Sequence, residues 1–206
     1  MSGLSVQEQI LSTASELFYR NGIHAVGVDS IIAQAGVAKS SLYRHYRTKD
    51  ELIAAYLQSE DDAFWKRWDA IALDGDSDPR RVLFALLTWI GTKIATPGYR
   101  GCPQLNVAAE FPDMAHPARI VASRHKAELR HRLAELATKL RAPVPVTTAD
   151  QLWLLIDGAF SNYALLADHD PVRLLTNAAT ALLPPTRKTK PSLRGANSSS
   201  TKRRSS

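Results

Sequence analysis

The apolar residues of this chain recur at three- and four-residue intervals almost from end to end, and most of the runs open on a helix-start signal. Ser5-Val6-Gln7-Glu8 has the form of a capping box, in which the serine hydroxyl takes a free backbone N–H and the glutamate reaches back to the cap. Ile10, Leu11, Ala14, Leu17 and Phe18 follow as the stripe of an amphipathic helix, and Asn21-Gly22 closes it. Short helices are predicted over 28–35 and 39–46, separated by Gly36-Val37. Thr48-Lys49-Asp50-Glu51 opens a long helix. Asp78-Pro79 and Asp170-Pro171 each place a capping carboxylate before a proline at the first helical position. Thr148-Ala149-Asp150-Gln151 reads as a further capping box, starting a helix to about Asp168. Pro97-Gly98 and Gly101 make 96–103 irregular, with a short helix over 104–110 and a long one over 117–141. The pattern gives about nine helices, no strand and no internal repeat, so the predicted fold class is all-α.

Bulk properties narrow the function. A length of 206 residues with 45% apolar side chains supports a sizeable core. The single cysteine, Cys102, rules out an internal disulfide framework and fits a reducing cytosol. No apolar run approaches the roughly 20 residues of a membrane span, and Met1 to Gln9 carries no secretory pattern. The expected location is therefore cytoplasmic, with no membrane partner. The net charge of +6 is misleading as a sign of nucleic-acid binding. Seven of the 26 cations fall after Pro185, in a Ser-, Lys- and Arg-rich stretch that holds no acid and reads as a disordered tail. The rest of the chain holds 19 cations against 20 acids, so any case for DNA must rest on local pattern.

That pattern lies between Gly22 and Leu52. The turn at Gly36-Val37 is too tight for an antiparallel helix pair and suits a helix-turn-helix, where glycine permits the sharp bend. From Ala38 to Lys49 there are four cations, one histidine, two serines, two tyrosines and no acid. A helix of this composition suits the major groove. The stretch VDSIIAQAGVAKSSLYRHYRTKDEL, residues 28–52, resembles the helix-turn-helix of the TetR family of transcriptional regulators. The likeness runs through Ile31 to Val37, Leu42-Tyr43-Arg44-His45-Tyr46, and Lys49 with Leu52. Two positions depart from the usual pattern. Gly27 stands where a threonine often caps the second helix, and Ala38 where a serine often caps the third, an omission worth about 1 kcal/mol of helix stability.

The resemblance implies an N-terminal three-helix helix-turn-helix domain, residues 1–57, joined to a C-terminal helical ligand-binding and dimerisation domain, residues 58–184, with the tail from 185 to 206. It implies that Lys39, Ser40 and Ser41 face base edges or phosphates, and that Tyr43 bonds a phosphate through its hydroxyl. Arg44 and His45 would reach bases or backbone. Lys49 would clamp a phosphate together with the N-terminus of its helix. Gly101-Cys102-Pro103, with Asn106 and Ala109-Glu110, is similar to a shorter element found in a subset of the same family, leading into the sixth helix. The expected function is a regulator, more often a repressor than an activator by the resemblance, bound to a pseudo-palindromic double-stranded operator and switched by a small-molecule effector.

The second domain is less legible. Residues 152–167 are apolar nearly all round, so a partner subunit is expected to cover the face that the core does not, giving a homodimer through 150–183. The aromatic and polar residues Trp65, Trp68, Trp89, Cys102, Asn106, Phe111, Trp153 and Phe160 are candidates for the effector cavity, against the alternative that each is core. His125, Glu128 and His131, at i, i+3 and i+6, spread over about 120° and read as a solvated charged face rather than a metal site. Cys102 with His116 is the strongest enzymatic alternative, and no catalytic signature accompanies it. Neither a metal nor a cofactor is called for.

Overall fold

The computed structural model describes residues 4–75 and 78–185, and the basic tail lies outside the described residues. Among the described residues ten helices run in order: α1 Val6–Asn21, α2 Val28–Ala35, α3 Lys39–His45, α4 Lys49–Asp74, α5 Pro79–Ile94, α6 Pro103–Glu110, α7 Pro117–Lys139, α8 Pro145–Ser161, α9 Tyr163–Leu166 and α10 Pro171–Leu182. No strand occurs among the described residues, and no helix among them is long and apolar enough to cross a membrane.

Local chemistry sets most helix starts. Ser5 and Glu8 form the reciprocal capping box. Thr48 accepts from the N–H of Glu51, but the Glu51 carboxylate reaches one residue beyond the cap, to the N–H of Arg47 at 2.7 Å. Asp78 and Asp170 each accept a backbone N–H of the helix that follows. α2 and α3 begin at Gly27 and Ala38 with no side-chain cap. Gly36 has φ of 65°, in the left-handed region where a side chain is strained, although a Cβ there would meet no neighbour.

Two starts and stops differ from the sequence expectation. α8 begins at Pro145, not at Thr148. Proline at the first helical position initiates the helix three residues early, Thr148 is buried in it, and Asp150 pairs with Arg130 of α7 instead of capping. The same helix ends at Ser161, because both the backbone N–H and the side-chain amide of Asn162 turn back to the carbonyl of Gly158. The short α9 follows.

The core has two parts, threaded by α4. Ile10, Phe18, Ile31, Leu42, Tyr46, Leu52 and Leu57 form one, which Val107 of α6 and Val121 of α7 complete. Trp68, Leu83, Leu87, Leu129, Leu133, Ile156 and Leu175 belong to the other, built from α4, α5, α7, α8 and α10. α4 is continuous through residues 57 and 58, so the two parts share one rigid lever.

α5 and α10 meet at Gly91. A Cβ there would lie 2.7 Å from the backbone N and Cα of Val172. Helix propensity alone favours Gly91→Ala by about 1 kcal/mol. Backbone cannot rotate away as a side chain can, so overpacking of about 1–3 kcal/mol should outweigh that gain. Urea unfolding of the Ala variant is expected to show a lower midpoint than the parent. An equal or higher midpoint would mean that the contact opens freely.

Candidate nucleic-acid interface and interior cavity

α3 is seated by one side and offers the other. Leu42 and Tyr46 are 1% and 5% exposed and anchor the helix in the N-terminal core. Ser40, Tyr43 and Arg44 lie exposed, and Ser41 and His45 are half-buried at the edges of the seat. Lys39 is exposed but meets Asp29 of α2 at 3.2 Å. Arg47, outside the set assigned from the resemblance, is also exposed just after the helix. The whole segment contributes cations and hydroxyls to one solvent-facing ridge, the chemistry that meets phosphates and base edges.

Lys49 is placed differently from the other six. Its ammonium donates to the carbonyl of Ile23 at 2.8 Å and lies 5.9 Å from the ring centre of Phe18. Two of its three N–H donors remain for another acceptor. The peptide groups around Ile23 are fixed from a second direction. The Glu110 carboxylate, at the end of α6, accepts the N–H groups of Ile23 and His24 at 3.0 and 3.1 Å. The imidazole of His24 lies 3.2 Å from the carbonyl of Glu110, and its ring faces Phe111 at 4.9 Å. Phe111 stacks on His116, whose Nε2 is 3.4 Å from Asp50 of α4. Higher up, Tyr19 of α1 accepts the N–H of Arg100 at 2.9 Å and donates to the carbonyl of Gly101 at 3.3 Å. The loop before α6 and the end of α6 are thus tied to the helix-turn-helix by polar bonds at both ends.

The same α6 closes a small interior cavity. About 20 Å³ of free space lies between Glu60 and Phe64 of α4, Gln104 of α6, His125 of α7 and Phe160 of α8, with Cys102 at its edge. Asp61 and His125 meet inside the protein, Nδ1 to Oδ1 at 2.7 Å, and both are nearly inaccessible. Burial outweighs the carboxylate and lowers the imidazole pKa below its ordinary 6.5. Burial raises the Glu60 carboxyl pKa, with Lys93 opposing.

Of the eight cavity candidates, Cys102 and Phe160 are brought together here. Trp65, Trp68 and Trp89 gather instead around Phe64 in an aromatic cluster, with Arg132 stacked 4.4 Å over Trp65. Asn106 lines a groove on the other side of α6, Phe111 belongs to the stack with His116, and Trp153 packs against the C-terminal core. His125 is not on a solvated face. With 100° per residue, the i and i+6 positions differ by 120°, so His125 turns inward while His131 stays exposed beside Glu135. His116 caps α7 through Nδ1, and the histidine that shares a cavity with Cys102 is His125. Gln104, Glu60 and Lys93 were not assigned from sequence. Nothing local distinguishes them from other polar residues on amphipathic helices.

Comparison with known proteins agrees with this geometry. Residues 10–56 match the profile of bacterial regulatory proteins of the tetR family. The crystal structure of a TetR-family transcriptional regulator from Streptomyces coelicolor superposes with a TM-score of 0.81 at 31% identity, covering 86% of this chain and 93% of that one. The HTH-type transcriptional activator FasR of Mycolicibacterium smegmatis is 50% identical over 50 residues, which are 24% of this chain and 23% of FasR. The transcriptional regulator AcuR of Cereibacter sphaeroides is 28% identical over 178 residues, 82% of this chain and 81% of AcuR. For FasR and for LmrA of Bacillus subtilis, the matched part spans less than two thirds of the relative, 23% and 61%.

Proposed function

The chain belongs to the TetR family of transcriptional regulators, and from that premise we propose that it is a sequence-specific DNA-binding repressor, released from its operator by a small-molecule effector. The observation that carries the proposal is α3 itself, with Leu42 and Tyr46 buried and Ser40, Tyr43 and Arg44 turned out. Every relative reported above is named as a transcriptional regulator, none as an enzyme.

We propose further that the regulator is a homodimer through 150–183. One helix reads only a short half-site, and a second copy doubles the contacts and imposes spacing. Leu154 of α8 and Leu174 of α10 are 67% and 42% exposed on the single chain, and Leu165 is 72% exposed between them. Gly158 is exposed on the same helix as Leu154, and a Cβ there would meet nothing within the chain, which leaves room for close approach of another helix.

Effector release follows from the ties around Ile23. A molecule lodged under α6 would displace α6, and Glu110 and the Tyr19 bonds would carry the shift to α1 and α4. A ligand moves this equilibrium only through unequal affinity for the two arrangements. The test is selection of random duplexes by the purified full chain, read by sequencing. Enrichment of a palindrome with two half-sites about one helical turn apart is the expected result. A folded dimer that enriches no sequence would overturn the proposal.

A further inference from the structure

Two residues that line the interior cavity each hold a buried polar atom with no hydrogen-bond partner among the described residues: Oε1 of Gln104 and Nε2 of His125. Both residues are 2% exposed. Their orientations are set by the bonds their other ends make. The amide nitrogen of Gln104 donates to the carbonyl of Leu57 at 3.3 Å, and a carbonyl can only accept, so the amide oxygen is turned to the cavity. Nδ1 of His125 meets the Asp61 carboxylate at 2.7 Å, which places the proton on Nδ1 and leaves a lone pair on Nε2 of the neutral ring. An acceptor left unpaired in the interior has lost its water without replacement, so a group that donates to it binds with that gain.

A second space lies beside the cavity. An outer cleft of about 290 Å³ shares Glu60, Lys93, Tyr99 and Pro103 with it as common walls. The cleft alone lies near the lower end of small-molecule sites, about 300 Å³. Phe64, Tyr99 and Phe160 supply ring faces. Lys93 lies on the shared wall, 5.9 Å from the Tyr99 ring centre, and the two unpaired groups of the inner end, Gln104 Oε1 and the Nε2 of the neutral His125 ring, are acceptors.

Resting on the effector reading above, we propose that this site takes a small, uncharged aromatic molecule bearing two hydrogen-bond donors, of the dihydroxybenzene or aminophenol kind, with its donors on Gln104 Oε1 and His125 Nε2. A carboxylate is disfavoured at Gln104 Oε1 and His125 Nε2, because it brings no donor to either acceptor. The inner space holds about one water in its closed form, so entry of a ring requires α6 to move outward, the displacement that the ties at Glu110 and Tyr19 transmit.

Calorimetry on the full chain without DNA tests this directly, with resorcinol, phenol, toluene and benzoate as probes. The expected order is resorcinol over phenol over toluene, with benzoate weakest. Gln104→Leu should weaken resorcinol about tenfold or more and leave toluene unchanged, toluene binding also certifying that the variant is folded. Benzoate binding as tightly as resorcinol, an unchanged resorcinol affinity in Gln104→Leu, or no binding of any probe would overturn the proposal. In the last case the two acceptors hold a water alone. Operator release is read separately by anisotropy. Resorcinol that binds in the expected order without releasing DNA supports the ligand class and counts against the effector-release reading.

Discussion

Replacing His125 with phenylalanine should destabilise the protein by about 3 kcal/mol near neutral pH, although the ring volume is kept, because a buried carboxylate loses its hydrogen-bond donor. The new ring would still pack on Phe64 and Trp65, whose centres lie 4.9 and 5.1 Å from that of His125. The loss comes from Asp61. Asp61 is 5% exposed, and without the Nδ1–H of His125 its carboxylate is left with Arg124 at 3.9 Å. The penalty should shrink as pH falls, because the titration of His125 itself removes stability from the wild type.

Burial holds the His125 pKa below 6.5 in the native state, so between that lowered value and 6.5 the unfolded chain binds more protons. The contribution is present in full above 6.5 and is lost as pH falls through the window below it. Glu60 works against this loss. Its raised carboxyl pKa makes the native state take up a proton first, which adds stability on acidification. A Glu60→Gln background should expose a steeper fall. Urea titrations of wild type and His125→Phe between pH 7.5 and 5 (about the range that histidine spans) read both slopes. A penalty below about 1 kcal/mol, or one that does not change with pH, would show that Asp61 does not depend on His125. The double substitution Asp61→Leu with His125→Phe removes the charge as well as its partner and should recover most of the loss.

This pair also marks where sequence reading stops. Helix starts at Ser5, Thr48, Asp78 and Asp170 were legible because a cap is local chemistry, settled within three or four residues. The Gly36 turn was legible for the same reason, since a left-handed residue between two apolar runs constrains the chain on the spot. Thr148 misled because Pro145, just upstream, supplies an equally local and stronger start. The cavity was legible only at Cys102 and Phe160. Its walls come from α4, α5, α6, α7 and α8, and the facing of each depends on the rotational phase of a whole helix. A histidine among Arg124, Lys126 and Arg130 looks solvated until the packing of α7 on α4 fixes that phase. Of the tryptophans offered as ligand-binding groups, Trp68 is in the core, and Trp65, Trp89 and Trp153 pack partly buried against it.

On the recognition helix the same logic predicts loss of binding without loss of fold. Tyr43 is 42% exposed and Arg44 is exposed, so Tyr43→Ala and Arg44→Ala should each change stability by less than about 0.5 kcal/mol. Against the palindrome recovered by selection, an arginine that reads a base is worth about 1–3 kcal/mol. A dimer presents it twice, so Arg44→Ala should weaken operator binding by about 2–6 kcal/mol, roughly thirtyfold to ten-thousandfold. The selected sequence should also relax at the contacted base pair in both half-sites. Tyr43→Ala should weaken binding more evenly across sequences, as expected for a phosphate contact. Lys39→Ala gives the control of the opposite kind. Its exposed pair with Asp29 is worth at most about 1 kcal/mol, so stability should hold while the salt dependence of binding becomes shallower by about one phosphate per half-site. Anisotropy titrations over a salt series, with the melting temperature of each variant beside them, separate the three. If Arg44→Ala binds the operator as tightly and as selectively as the wild type, then α3 does not read bases through this residue. Specificity would then have to come from Ser40, Ser41 and the deformability of the DNA between half-sites.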